Sequence, residues 1–147
     1  MSISVRTHRA PVQLAATVVG AIFLVVGILG FVPGITTHVG SLGFAGDGSQ
    51  AMLLGLFQVS VLHNIVHLLF GIAGLALGRS IASAKGYLTW GGVIYFVLFV
   101  YGLIFMGNMG ANFVPVNGAD NVLHLLLGVG MFVLGIVLGR RAAGNRR

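Results

Sequence analysis

The sequence contains no cysteine and only two acidic residues, Asp47 and Asp120. Without cysteine there are no disulfides, no thiol nucleophile, no thiolate zinc site and no cysteine-ligated cluster. With both acids outside the long apolar runs, no carboxylate continues a proton relay through the chain. Charge of either sign is scarce. Lys, Arg, Asp and Glu make up 7% of the 147 residues, against about 25% in a soluble domain. So few charges cannot cover a water-soluble protein of this length, and a composition that is 57% hydrophobic indicates a membrane protein built as one bundle.

Four apolar runs stand out, at about 14–32, 53–77, 87–106 and 122–138. A helix needs about 20 apolar residues to cross a bilayer, with a range of about 17 to 25. A helix also satisfies its own backbone hydrogen bonds, which lipid cannot do. The expected fold is therefore all-α, a polytopic four-transmembrane-helix bundle over 13–139, between a basic N-terminus (1–12) and a basic tail (140–147). Pro11 suits the first turn of the first helix, Pro33-Gly34 its end, and Asn117 and Asp120 the cap of the fourth. The first run follows Arg6 and Arg9 but is longer than a signal-peptide core. No small-x-small site follows it, so it is expected to persist as a span.

The eight basic residues carry topology. Arg6 and Arg9 precede the first run, Arg79 and Lys85 separate the second and third, and Arg140, Arg141, Arg146 and Arg147 follow the fourth. The other two loops, about 33–52 and 107–120, hold both acids and no Lys or Arg. The positive-inside rule then places both termini and the middle loop in the cytoplasm. The net charge of +6 does not point to nucleic acid, because the basic residues have no aromatic interleaving.

The second and fourth runs share a motif. "NIVHLLFG" (64–71) overlies "NVLHLLLG" (121–128) with identities at Asn, His, Leu, Leu and Gly. A fainter echo, "TVVGAIF" (17–23) against "TWGGVIY" (89–95), links the first and third. The pattern reads as a duplicated helical hairpin, related by an axis along the membrane normal. At helical spacing, Ser60, His63, His67, Gly71, Gly74 and Gly78 share one face, as do Asn121, His124, Gly128, Met131 and Gly135. Such faces belong inside the bundle. Counted from the basic residues that follow each run, His67 lies deeper than His124 by about one turn, which makes His63 the better match in depth for His124.

Helix packing is the first reading of these stripes. Small residues let backbones approach, and Asn or His can hydrogen-bond between helices. The packing set is Gly71, Gly74, Gly78, Gly128 and Gly135, with Ser60, Asn64, Asp120 and Asn121 as a polar network. No cofactor is required. The alternative is a divalent metal or haem held by His63, His67 and His124, with Gly71 and Gly128 making room for a porphyrin ring. A third reading is an oligomeric conduit for protons or a small solute, since intramembrane ionisable groups are functional candidates. Catalysis is not expected, because no elbow motif organises Ser49 or Ser60 with a histidine and an acid.

The segments "LHNIVHLLFGIAG" (62–74) and "NFVPVNGADNVLHLLLGVG" (112–130) resemble a family of small actinobacterial membrane proteins, domain of unknown function 4383. The resemblance spans about 12–139. It implies a four-span protein of a bacterial plasma membrane and carries no activity with it. The expected role is a non-enzymatic structural or accessory subunit. The bilayer is its surrounding, and a homo-oligomer or a larger membrane complex its expected assembly.

Overall fold

A computed structural model describes residues 9–46, 48–107 and 112–144. Arg6, His8, Asp47, Arg146 and Arg147 lie outside the described residues. Four helices dominate: α1 (Pro11–Leu29), α2 (Val61–Leu77), α3 (Ile81–Phe105) and α4 (Gly118–Gly144). Three strands of two residues each, β1 (Thr36–Thr37), β2 (Met52–Leu53) and β3 (Phe57–Gln58), form an antiparallel sheet in the order β1-β2-β3.

Helix α1, helix α3 and residues 118–142 of α4 are long and apolar enough to cross a membrane, with mean hydropathy of 2.5, 2.0 and 2.4. Their outward faces stay apolar: Leu14, Val18, Ile22 and Val25, spaced three or four apart down α1, are each about half exposed. The chain is a mostly helical membrane protein. Helix α2, at 17 residues, is a shorter apolar helix.

Local chemistry sets the ends. Pro11 occupies the first turn of α1, and the Ala10 amide donates to Gln13 Oε1 at 3.0 Å. Gln13 Nε2 in turn donates to the Arg79 carbonyl at 2.7 Å, joining the start of α1 to the end of α2. Helix α1 stops at Leu29, four residues before Pro33, and Gly34 takes a left-handed φ of +89° just beyond. Only Gly78, Arg79 and Ser80 separate α2 from α3, and Ser80 Oγ accepts from the Ser83 amide at 3.2 Å. Lys85 therefore lies within α3 rather than in a loop, and its aliphatic stem packs where a Cβ on Gly139 would sit.

The second apolar run, 53–77, is not one helix. Its first part pairs as β2 and β3, and α2 begins only at Val61. Leu54 (φ +55°) and Gly55 (φ +68°) turn the chain back on itself between the strands. The sheet buries Ala51, Leu53 and Val59 against Val26 and Leu29 of α1, so these residues are apolar because they pack on a helix end. This small sheet of two-residue strands caps a fold that is otherwise helical, as expected of an all-α membrane protein.

Candidate functional site

Glycine and threonine set the pairing of the helices. A Cβ added at Gly20 of α1 would lie 2.9 Å from Gly71 O and from backbone atoms of Gly74 in α2. A Cβ at Gly92 of α3 would lie 2.8 Å from Gly128 O and 2.6 Å from Phe132 N in α4. Backbone meets backbone in both pairs, which only residues without side chains allow. The other contacts recur as well. Thr17 Oγ1 fills the space beside Gly78, and Thr89 Oγ1 that beside Gly135. The Asn64 amide fills the space beside Gly30, and the Asn121 amide that beside Gly102. Phe23 lies on His67 (centroids 5.4 Å, 57°), and Tyr95 lies on His124 (5.5 Å, 57°). Every partner in α3 stands 72 positions after its counterpart in α1, as in Gly20 to Gly92 and Gly30 to Gly102. The matched partners in α4 stand 57 after their counterparts in α2, as in Asn64 to Asn121 and Gly71 to Gly128, while Gly20 also meets Gly74 and Gly92 meets Phe132, an offset of 58.

The two pairs meet through rings. Phe23 and Tyr95 stack on each other (5.4 Å, 22°), and Phe70 packs edge-on against both. The Tyr87 hydroxyl donates to the Phe70 carbonyl at 3.2 Å. On the side of this ring cluster nearer the sheet sit the three histidines. His63 and His67 stack ring on ring (4.4 Å, 19°). His67 Nδ1 lies 3.0 Å from the His63 carbonyl. A carbonyl can only accept, so Nδ1 carries the proton and the neutral ring keeps its lone pair on Nε2. His67 and His124 are 8% and 3% exposed. Nδ1 of His63 and Nδ1 of His124 are buried with no partner among the described residues.

Cavities adjoin this cluster. One of about 120 Å³ lies between α2, α3 and the 113–115 segment, and one of about 100 Å³ lies under the sheet against α1 and α4. Both are lined by His63, His67 and His124. Above them the loops form a cover. Ser49 Oγ accepts from the Gly43 amide and donates to the Val59 carbonyl, and Gln58 Nε2 donates to the Ser49 carbonyl. Asp120 Oδ2 accepts from the amides of Asn117 and Gln58, each at 3.0 Å, which ties β3 to the start of α4. The Gly46 amide donates to the Phe113 carbonyl at 2.8 Å, tying the two loops together.

The geometry bears on several of the expected site residues. Among the described residues no three His, Cys, Asp or Glu side chains are grouped to hold a metal ion, and His63 and His67 stack rather than converge. Gly71 and Gly128 leave no room for a porphyrin. Leu24 and Gly20 fill the space beside the first, and Phe96 and Gly92 the space beside the second. The recurring ring contacts make His124 the counterpart of His67, since Tyr95 lies on the first as Phe23 lies on the second. Counting depth from the basic residues misleads because α4 continues past Arg140 to Gly144, while α2 stops two residues before Arg79. Ser60 serves as the N-cap of α2, accepting from the His63 amide at 3.1 Å. The partners Gly20, Gly30, Gly92, Gly102, Phe23, Tyr95 and Gln58 were not singled out as site residues. The faint echo of 17–23 in 89–95 contains four of them, Gly20, Phe23, Gly92 and Tyr95.

The chain belongs to the family described as Domain of unknown function (DUF4383), whose model matches residues 13–137. No curated protein and no solved structure matches it.

Proposed function

We propose that this member of the family is a non-enzymatic structural or accessory subunit of a bacterial plasma membrane, a four-span bundle made of two copies of one helical hairpin. The observation that carries the reading is the recurrence of the Thr, Gly, Asn and ring contacts at constant offsets of 72 and 57. Two unrelated hairpins have no reason to meet through equivalent residues over the length of both pairs. These contacts also give the polar stripes a role in packing. Helix α2 is counted as a span because it is packed along α1 from Gly30 to Thr17. Its 17 residues rise about 25 Å, just short of a hydrocarbon core of about 30 Å. The placement of all eight basic residues supports cytoplasmic termini.

Because the chain has no cysteine, single cysteines report topology without background. Ser41→Cys, at an exposed position of the first outer loop, should react with a membrane-impermeant maleimide in intact cells, and Ala82→Cys only after permeabilisation. The reverse pattern would overturn the orientation, and reaction of both in intact cells would remove the α2 span. Purified protein should be colourless and free of stoichiometric metal. A haem band or a bound metal lost on His67→Ala would replace the structural reading with the cofactor one.

A further inference from the structure

The cavity between α2 and α3 is built differently at its two ends. Inside, it is lined by His63, His67, His124 and Tyr95. Toward the surface it is lined by Val66 and Phe113, which are 49% and 62% exposed, and it is partly open there. On membrane-spanning helices such an opening faces lipid. Its volume of about 120 Å³ is of the order of the roughly 150 Å³ cavity that accepts benzene in a protein core. The inner end makes a directional demand. With its proton committed to the His63 carbonyl, His67 offers only a lone pair from its other nitrogen. His124, buried to 3% exposure, and His63 each have a ring nitrogen without a partner. The site gains from an occupant that donates a hydrogen bond to that lone pair.

We propose that this cavity is a lateral binding site for the head group of a lipophilic phenol or quinol. The ring fits between Tyr95, Phe113 and Pro115, its hydroxyl donates to the His67 imidazole, and its apolar tail leaves past Val66 into the bilayer. At His67 a quinone or an ether of the same shape has no hydroxyl to donate and meets lone pair with lone pair. The site requires that α2 and α3 face lipid, but not that the chain be an accessory subunit.

The test uses the unaltered protein in nanodiscs of phosphatidylethanolamine and phosphatidylglycerol. The probe is a long-chain 4-alkylphenol with a diazirine beside the ring, compared with its methyl ether. The phenol should crosslink saturably to 60–67 and 112–116, be displaced by unlabelled 4-alkylphenol, and label at least tenfold more than the ether. Equal labelling by both probes, labelling that does not saturate, or crosslinks confined to the apolar groove beside Phe132 would overturn the proposal. Val66→Trp, which fills the mouth, should reduce labelling at least tenfold in folded protein, and unchanged labelling there would also overturn it. The phenol–ether comparison decides the matter even if Val66→Trp does not fold. Failure here leaves the helix-pair contacts untouched, so the packing reading stands or falls separately.

Discussion

The starts of α2 and α4 occupy equivalent places and do different things. Ser60 caps α2 by accepting from the amide three residues on, that of His63, and Asn117 does the same for Asp120 in α4. The capped position is where the halves part. Asp120 returns a bond to the Asn117 amide and takes another from Gln58, and its negative charge suits a helix N-terminus. His63 instead stacks on His67 and leaves its Nδ1 without a partner beside two cavities. In the proposed repeat, one arm closes the molecule and the other lines a space. The histidine cluster is therefore lopsided, two imidazoles on α2 and one on α4, although the glycine contacts beneath it match.

The largest test of this comparison addresses the part that matches. Gly20→Leu and Gly92→Leu each drive a side chain into the backbone of the partner helix and should both cost more than about 3 kcal/mol, seen as loss of folded protein in detergent. Gly130→Leu, where nothing lies within 4 Å of an added Cβ, should change stability by less than about 0.5 kcal/mol. Tolerance at one of the paired glycines and not the other would break the equivalence of the two hairpins. The second test addresses the part that differs. Asp120→Ala should lose about 1.5–3 kcal/mol and speed hydrogen exchange at the Gln58 and Asn117 amides. His63→Leu should be neutral or stabilising, because it removes an unpartnered ring nitrogen. The opposite ranking would mean that the histidine side, not the aspartate side, holds the molecule closed. The smallest effect is at the caps. Ser60→Ala should cost about 1 kcal/mol in an unfolding titration. Asn117→Ala should cost more, because Asn117 Nδ2 also donates to the Leu56 carbonyl at 2.9 Å.

Much of this was readable from residue order, for reasons that differ by element. The helices announce themselves because lipid demands long apolar runs, and Asn117 with Asp120 signals a cap because the spacing alone permits the reciprocal bonds. The inward stripes of α2 and α4 were visible because polar residues in such runs are conspicuous. Their partners were not. Gly30 and Gly102 acquire meaning only when Asn64 and Asn121 lie against them, a fact of pairing that no single helix contains. The sheet was hidden because Leu53, Phe57 and Val59 are as apolar as the helix they precede, and hydropathy does not distinguish burial on a helix end from burial in lipid. The cavities were likewise unreadable, since they arise where the two halves stop matching.

The Phe23–Tyr95 stack has a mechanical consequence. Within each pair, backbone touches backbone at glycine, with threonine and asparagine side chains filling the spaces beside the other glycines. Between the pairs the joint is a set of aromatic faces and edges, with cavities beside it. The protein thus amounts to two stiff plates with a compliant gasket between them. Any sliding of one plate against the other would shear ring across ring and leave the glycine contacts within each plate intact. The histidines line that seam, so such sliding would change their surroundings.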